Sequence, residues 1–407
     1  MMESNKKTYL IVIIAALGYF VDIYDLILFN VVKETSLAAI GISGDSYKAY
    51  EISLFNWQMF GMLLGGLLWG ILGDKKGRIS VLFGSILIYS LANIANGLVT
   101  NIEQYTLCRF IAGIGLAGEL GAGITLVSET MTKEKRGIGT MIIVSFGALG
   151  AVFAAFVGKI VEWQTAYFLG GGLGLALLLL RAGAFESGMY SQLKTDKSIS
   201  RGNFFMLFKT KERAFLYLKS IAIGVPIWFM IGVLINLSPR FVTIEGVNTK
   251  EMLGAAVMFT YIGLSAGDVL SGLLSQVLKS RKKVIYIYLS LSVVLILYYL
   301  NTPVQSFNQF KISCLLLGIG TGYWALFVQV ASENFGTNIR STVTNTVPNF
   351  VRFSVVPITV SFKILSDSMG AQNAAIIVGS VCMLIALVSL YLMKETFSKD
   401  LNYHEID

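Results

Sequence analysis

Stretches of about 20 mostly apolar residues recur along the chain, separated by short polar or basic segments. Twelve are legible, at about 9–32, 52–72, 79–99, 104–128, 137–160, 164–185, 214–237, 252–278, 284–301, 307–331, 341–363 and 371–393. A helix rises 1.5 Å per residue, so runs of this length cross the hydrocarbon of a bilayer. The pattern predicts an all-α membrane protein with twelve transmembrane helices. One longer hydrophilic segment separates the sixth and seventh runs. It divides the chain into an N-terminal six-helix half (1–185), a linker (186–213), and a C-terminal six-helix half with a short tail (214–407).

The halves repeat. Ser128-Glu129 follows the fourth run with Arg136 seven residues past the acid; Ser332-Glu333 follows the tenth with Arg340 seven past, at an offset of 204. Gly66-Leu67-Leu68 leads into Lys75-Lys76 as Gly272-Leu273-Leu274 leads into Arg281-Lys282, at an offset of 206. Six helices per repeat predict two pseudo-symmetric halves related by an axis along the membrane normal.

Composition agrees and removes alternatives. Hydrophobic residues make up 55% of the 407 and charged residues 14%, against about 25% charged in a soluble domain. The single histidine, His404, lies near the C-terminus, and Cys108, Cys314 and Cys382 sit in apolar runs without C-x-x-C spacing. No catalytic triad, metal site or cofactor site can be assembled, and no ATP-cradling loop occurs. An ion gradient is the expected energy source. The first apolar stretch carries Asp22 and Asp25 and ends in no cleavage site, unlike a signal peptide. Placing both termini inside puts 23 of the 32 Lys and Arg residues on the cytoplasmic side, Arg181 among them. The net charge of +8 therefore reads as a topology signal and not as nucleic-acid binding. The expected location is a bacterial-type inner membrane, with lipid, protons and a small solute as partners and a monomer as the working unit.

Motifs narrow the class. Gly70-x-Leu72-Gly73-Asp74-Lys75-Lys76-Gly77-Arg78, between the second and third runs, resembles the signature loop of the major facilitator superfamily. Arg109, with Ser128-Glu129 and Arg136-Gly137, is similar to its sugar-porter and organic-ion branches. Gly18-Tyr19-Phe20-Val21-Asp22-Ile23-Tyr24-Asp25-Leu26 resembles the first helix of both the phosphate:proton and the metabolite:proton symporters. Ala117-Gly118-Glu119-Leu120-Gly121 is closer to the metabolite symporters' Gly-Gly-Glu-x-Gly. Where the phosphate branch has Pro-Asn-x-Thr-Thr, this chain has Gly322-Tyr323-Trp324-Ala325-Leu326.

Charges inside apolar runs are expensive and functional by default. Asp22 and Asp25 share one helix face, about 20–25 Å from the inner end. Arg109 lies about 8 Å below the outer end of the fourth run, a depth at which it could pair with Asp25. With the resemblance, these residues are expected to couple transport to protons; a plain helix-to-helix tie is the alternative. Glu119 either relays the proton or hydrogen-bonds within a glycine-rich crossing. Arg352, near mid-membrane, either bridges to Asp268 or holds a carboxylate substrate. Further substrate-binding candidates are Tyr24, Gln58, Trp228, Tyr323, Trp324, Asn345 and Asn349, against packing as the alternative. Asp74, Arg78, Glu129, Arg136, Glu333 and Arg340 are expected to latch the inner seam between the halves. The resulting expectation is a secondary transporter that moves a small organic anion or zwitterion with protons by alternating access. A sugar or phosphate porter and a non-transporting sensor are the alternatives.

Overall fold

The computed structural model describes residues 2–132, 135–181 and 200–405. Twelve helical spans follow one another: α1 (Met2–Ala39), α2 (Asp45–Lys76), α3 (Arg78–Asn96), α4 (Ile102–Thr130), α5 (Arg136–Ile160), α6 (Trp163–Leu180), α7 (Lys211–Ile235), α8 (Thr249–Val277), α9 (Arg281–Asn301), α10 (Phe307–Asn334), α11 in two segments (Arg340–Phe353 and Val355–Met369) and α12 (Ala371–Tyr391). Of the predicted linker 186–213, residues 186–199 lie outside the described ones. From Phe204 to Phe208 the chain forms a short 3-10 turn whose rings pack on Tyr217 of α7.

Among the described residues, eleven helices are long and apolar enough to cross a bilayer. The exception is α11. Its first segment buries Ser341, Thr342, Thr344, Asn345, Thr346, Asn349 and Arg352. Such a sequence survives because protein, not lipid, surrounds it. It packs on α2 and on the second part of α4, while α5 packs on α8 in the counterpart contact. These two pairs form the seam between the halves. Lipid-facing positions are marked instead by exposed Leu64, Leu68, Leu91, Phe156, Val294 and Leu384.

The repeat governs helix breaks and close crossings. Helix α4 breaks between Leu116 and Glu119, and α10 between Thr321 and Trp324. Both breaks carry a glycine, Gly118 and Gly322. In the N-terminal half Gly61 and Gly65 of α2 sit against the backbone of Phe110 and Ile114 of α4; in the C-terminal half Gly263 and Gly267 of α8 sit against Leu315 and Ile319 of α10. Two G-x-x-x-G faces thus bring each half's second and fourth helices to backbone contact, where a side chain would hold them apart. Trp69 clamps the first crossing by donating its indole N–H to the Ile114 carbonyl at 2.6 Å.

A Cβ on Gly318 would fall 2.9 Å from the Thr260 carbonyl carbon and 3.0 Å from Gly263 Cα, whereas nothing lies within 4 Å of one on Gly172. Gly318→Leu is expected to destabilise the bundle by about 1–3 kcal/mol or more, lowering the thermal unfolding midpoint in detergent. Gly172→Ala should leave that midpoint unchanged.

Candidate functional site

A narrow cavity of about 20 Å3 lies between the halves. Tyr19, Ile23 and Leu26 of α1 face Trp228 and Ile231 of α7, Tyr261 and Leu264 of α8, Trp324 of α10 and Arg352 of α11. A second space shares Leu26, Trp228, Ile231 and Tyr261 and continues past Asn30, Phe55 and Asn236. Helix α7 is irregular here: Pro226 opens a short segment that passes into a π-turn over Met230–Ile235, a widening that often marks functional sites. The α10 break puts Trp324 at the start of a new helix beside Arg352.

Arg352 is buried. Its guanidinium donates to Asn349 Oδ1 at 3.1 Å and to the Tyr19 hydroxyl at 3.3 Å, and it lies 5.6 Å from the Trp324 ring centroid. Trp324 also donates to the Tyr19 hydroxyl, at 3.1 Å. A phenol accepts two bonds and donates one, so Tyr19 keeps its own proton for another partner. The bridge to Asp268 does not form. Asp268 instead accepts from the Ala325 amide at 2.9 Å, because the broken α10 leaves orphan amides that a carboxylate satisfies. Arg352 thus has no carboxylate within 4.0 Å among the described residues.

The pairing expected of Asp25 and Arg109 is also corrected. Arg109 donates to Gln58 Oε1 and stacks 4.8 Å from the Phe29 ring, leaving Nε and Nη1 without a hydrogen-bond partner. Gln58 on the crossing α2 supplies the neutral acceptor within reach, so Gln58 serves Arg109 and does not line either cavity. Asp22 and Asp25 are fully buried, and their four carboxylate oxygens accept no hydrogen bond among the described residues. Glu119 is paired with Arg181, whose Nη1 reaches Oε2 at 3.0 Å. Sequence counting put Arg181 among the surface charges; the fold buries it, and it also donates to the Leu82 carbonyl at 2.9 Å. Gly18 gives that pair room, since a Cβ there would collide with both groups.

Of the remaining substrate candidates, Trp228 and Trp324 line the cavity. Tyr24 donates to the Ala166 carbonyl at 2.8 Å and Tyr323 to that of Ile223 at 3.0 Å. Asn345 donates to the Ser341 carbonyl at 2.8 Å, and Asn349 to that of Ala117 at 3.0 Å. Tyr24, Tyr323 and Asn349 tie helices together, with Asn349 also orienting Arg352, whereas Asn345 bonds back within α11. Tyr19 and the Arg181 partner of Glu119 are the site residues that the sequence did not single out as such; Tyr19 stands one turn from Asp22.

The basic end of the bundle is closed by crossed pairs. Glu129 accepts from Arg340 at 3.1 Å and from Arg78 at 2.7 Å; Glu333 accepts from Arg136 at 2.9 Å, with Arg281 at 3.7 Å. Each repeated acid therefore pairs with the other half's repeated arginine, not with the one seven residues along its own chain. Asp74 at the end of α2 accepts from the Ser341 and Thr342 amides at 3.0 and 2.8 Å, capping the N-terminus of α11. The tail beyond α12 completes the seal. Its carbonyls at Lys399 and Leu401 accept from Arg136 at 2.8 Å and Arg340 at 2.7 Å, and Leu401 is buried. Glu395 anchors the tail by accepting from Ser280 and the Arg281 amide. Burial alone would raise its pKa, but the Ser280 hydroxyl and the amides of Phe397, Arg281 and Thr396 hold it below the usual carboxylate range.

Comparison with known proteins matches residues 15–358 to the family described as the Major Facilitator Superfamily. A putative niacin/nicotinamide transporter of Bacillus subtilis is 25% identical over 346 residues, 83% of this chain and 84% of its own. A 3-(3-hydroxy-phenyl)propionate transporter of Escherichia coli is 26% identical over 295 residues, 71% of each chain. The solved structure of the proton:xylose symporter XylE superposes with a TM-score of 0.76 at 15% identity, covering 98% of both chains.

Removing either repeated carboxylate would leave buried arginines facing one another, at a cost of about 3–5 kcal/mol. Glu129→Gln and Glu333→Gln are each expected to open the basic end and raise maleimide labelling of a buried Ser341→Cys probe in solubilised protein by about tenfold or more. Glu51→Gln, which breaks the half-exposed Lys33–Glu51 pair, should leave labelling unchanged.

Proposed function

The chain belongs to the Major Facilitator Superfamily, and on that premise we propose that it is a proton-coupled symporter of small organic anions. One observation carries the reading. Among the described residues, five of the seven large buried arginines have a carboxylate within ion-pair distance; Arg109 and Arg352 do not, and neither Asp22 nor Asp25 has a cation within that distance. The interior holds matching charges that are not joined to each other. An anionic solute can satisfy Arg352, and protons can neutralise the aspartates.

Coupling follows from charge repulsion. Tyr19, which is bonded to Arg352, stands one turn from Asp22, so a charged Asp22 repels a solute carboxylate at Arg352. Protonating Asp22 removes that repulsion, and bound solute in turn favours the proton on Asp22, as linkage requires. Trp228, Trp324 and Tyr261 offer ring faces beside the charge, which suits an aryl or cyclic carboxylate. The relatives' printed cargoes, niacin and a phenylpropionate, support this class. Asp25 and Arg109, deeper in the N-terminal half, take part in proton handling, and Gln58 sets the orientation of Arg109.

In this reading the basic end is cytoplasmic, both termini lie inside a bacterial inner membrane, and the protein is a monomeric carrier, not an enzyme. Residues 1–185 and 214–407 are the two rocking units, joined by 186–213. The crossed pairs at Glu129 and Glu333, with Asp74, Arg78, Arg136 and Arg340, latch the cytoplasmic side. Solute and protons then exchange with the opposite face until the latch yields.

A thermal-shift screen over aryl carboxylates, amino acids, sugars and phosphate should find stabilisation by carboxylates. Arg352→Ala should weaken it by about 10–100-fold, the value of one or two charge-assisted hydrogen bonds. In proteoliposomes Asp22→Asn should abolish accumulation driven by a pH gradient and preserve counterflow of the same solute. Stabilisation by neutral sugars alone would defeat the anion assignment. Unimpaired uphill uptake by the Asp22→Asn Asp25→Asn protein would defeat proton coupling.

A further inference from the structure

The cavity does not use the polar residues of α3. Ser85, Tyr89, Asn93 and Asn96 recur at helical spacing, so they form one stripe, and all four are fully buried. Its ends meet two carboxylates. Ser85 donates to Glu119 at 3.5 Å, and Asn93 stands beside Asp25. The separation from Ser85 to Asn93 along the helix is about 12 Å. Between them on the helix lies Tyr89, whose ring stands against Gly174 of α6.

Along this stripe the Tyr89 hydroxyl and both amide atoms of Asn93 and Asn96 have no hydrogen-bond partner among the described residues, nor has the neighbouring Ser90 hydroxyl. Buried polar groups are normally satisfied, by water where protein does not reach. Glycines of α6 let this stripe and Asp25 pack closely against that helix. A Cβ on Gly174 would lie 3.1 Å from Tyr89 Cε2, and one on Gly170 would lie 3.3 Å from Asp25 Cγ. A row of unpartnered donors and acceptors between two acids can pass a proton through bound water.

We infer that a proton route runs inside the N-terminal half along α3, from Asp25 past Asn93 and Tyr89 to Glu119, separate from the solute cavity. It rests on the proton-coupled reading above. A proton leaves the Asp25 carboxyl for a neighbouring water; at each oxygen, Tyr89 included, one O–H bond forms as another breaks; the last proton arrives on a Glu119 oxygen. Asn93 and Asn96 orient water and carry no proton. Glu119 then releases Arg181, which keeps its bonds to the Leu82 and Ile14 carbonyls, and passes the proton to the basic end. Tyr89 and Asn93 are positioning and relay residues that touch no solute.

The test uses the full chain in proteoliposomes with radiolabelled nicotinate as the probe, comparing gradient-driven accumulation with counterflow, which moves no net proton. Tyr89→Phe and Asn93→Leu are each expected to slow accumulation by about tenfold and to keep counterflow within about twofold of wild type. Accumulation at the wild-type rate in both variants overturns the route. Equal loss of accumulation and counterflow also overturns it, because the residues would then be structural. A wild type that exchanges nicotinate but never concentrates it under a pH gradient removes proton coupling itself, and the route with it.

Discussion

A guanidinium cannot be left alone in a low-dielectric interior, and the organisation of this bundle follows from how its buried arginines are satisfied. Arg78, Arg136, Arg281 and Arg340 gather at the basic end around Glu129, Glu333 and Asp74. Arg181 is held by Glu119. Arg109 and Arg352 have only neutral acceptors and aromatic faces. The saturated arginines hold helices in place. The unsaturated ones lie where solute and proton chemistry is proposed.

The repeat gives this arrangement its symmetry. Each half presents one acid and one arginine at equivalent places, and the fold crosses them, Glu129 with Arg340 and Arg136 with Glu333. A crossed pair resists separation of the halves at that end, whereas a pair within one half would not. The same duplication sets the G-x-x-x-G crossings of α2 with α4 and of α8 with α10. These hold the second and fourth helices of each half in backbone contact. The halves diverge where function is proposed: α11 is polar and holds Arg352, and α1 buries Asp22 and Asp25.

The tail and the α11 N-terminus join the seal through main-chain groups. Carbonyls of Lys399 and Leu401 fill the remaining donors of Arg136 and Arg340, and Asp74 takes the orphan amides of α11. Closure of the basic end is therefore cooperative, since loss of any one member leaves a buried donor or acceptor unpaired.

The amino-acid sequence determined the all-helical membrane fold and the family, because hydrophobic runs and motif spacing are properties of local sequence. It also marked Trp228, Trp324 and Arg352, which the fold brings to one cavity. Partners were decided by tertiary structure alone. Asp25 was expected beside Arg109 from equal depth, yet depth says nothing of azimuth, and Gln58 on the crossing helix reached the guanidinium instead. A bridge to Asp268 was one of two readings for Arg352, but the break in α10 created amides that claimed Asp268. Arg181 looked like a surface charge at the end of a helix until α1 and α3 closed over it. Which donor meets which acceptor depends on helix rotation and crossing, fixed by glycine contacts far away in the chain, and one helix's sequence does not encode its neighbour's angle.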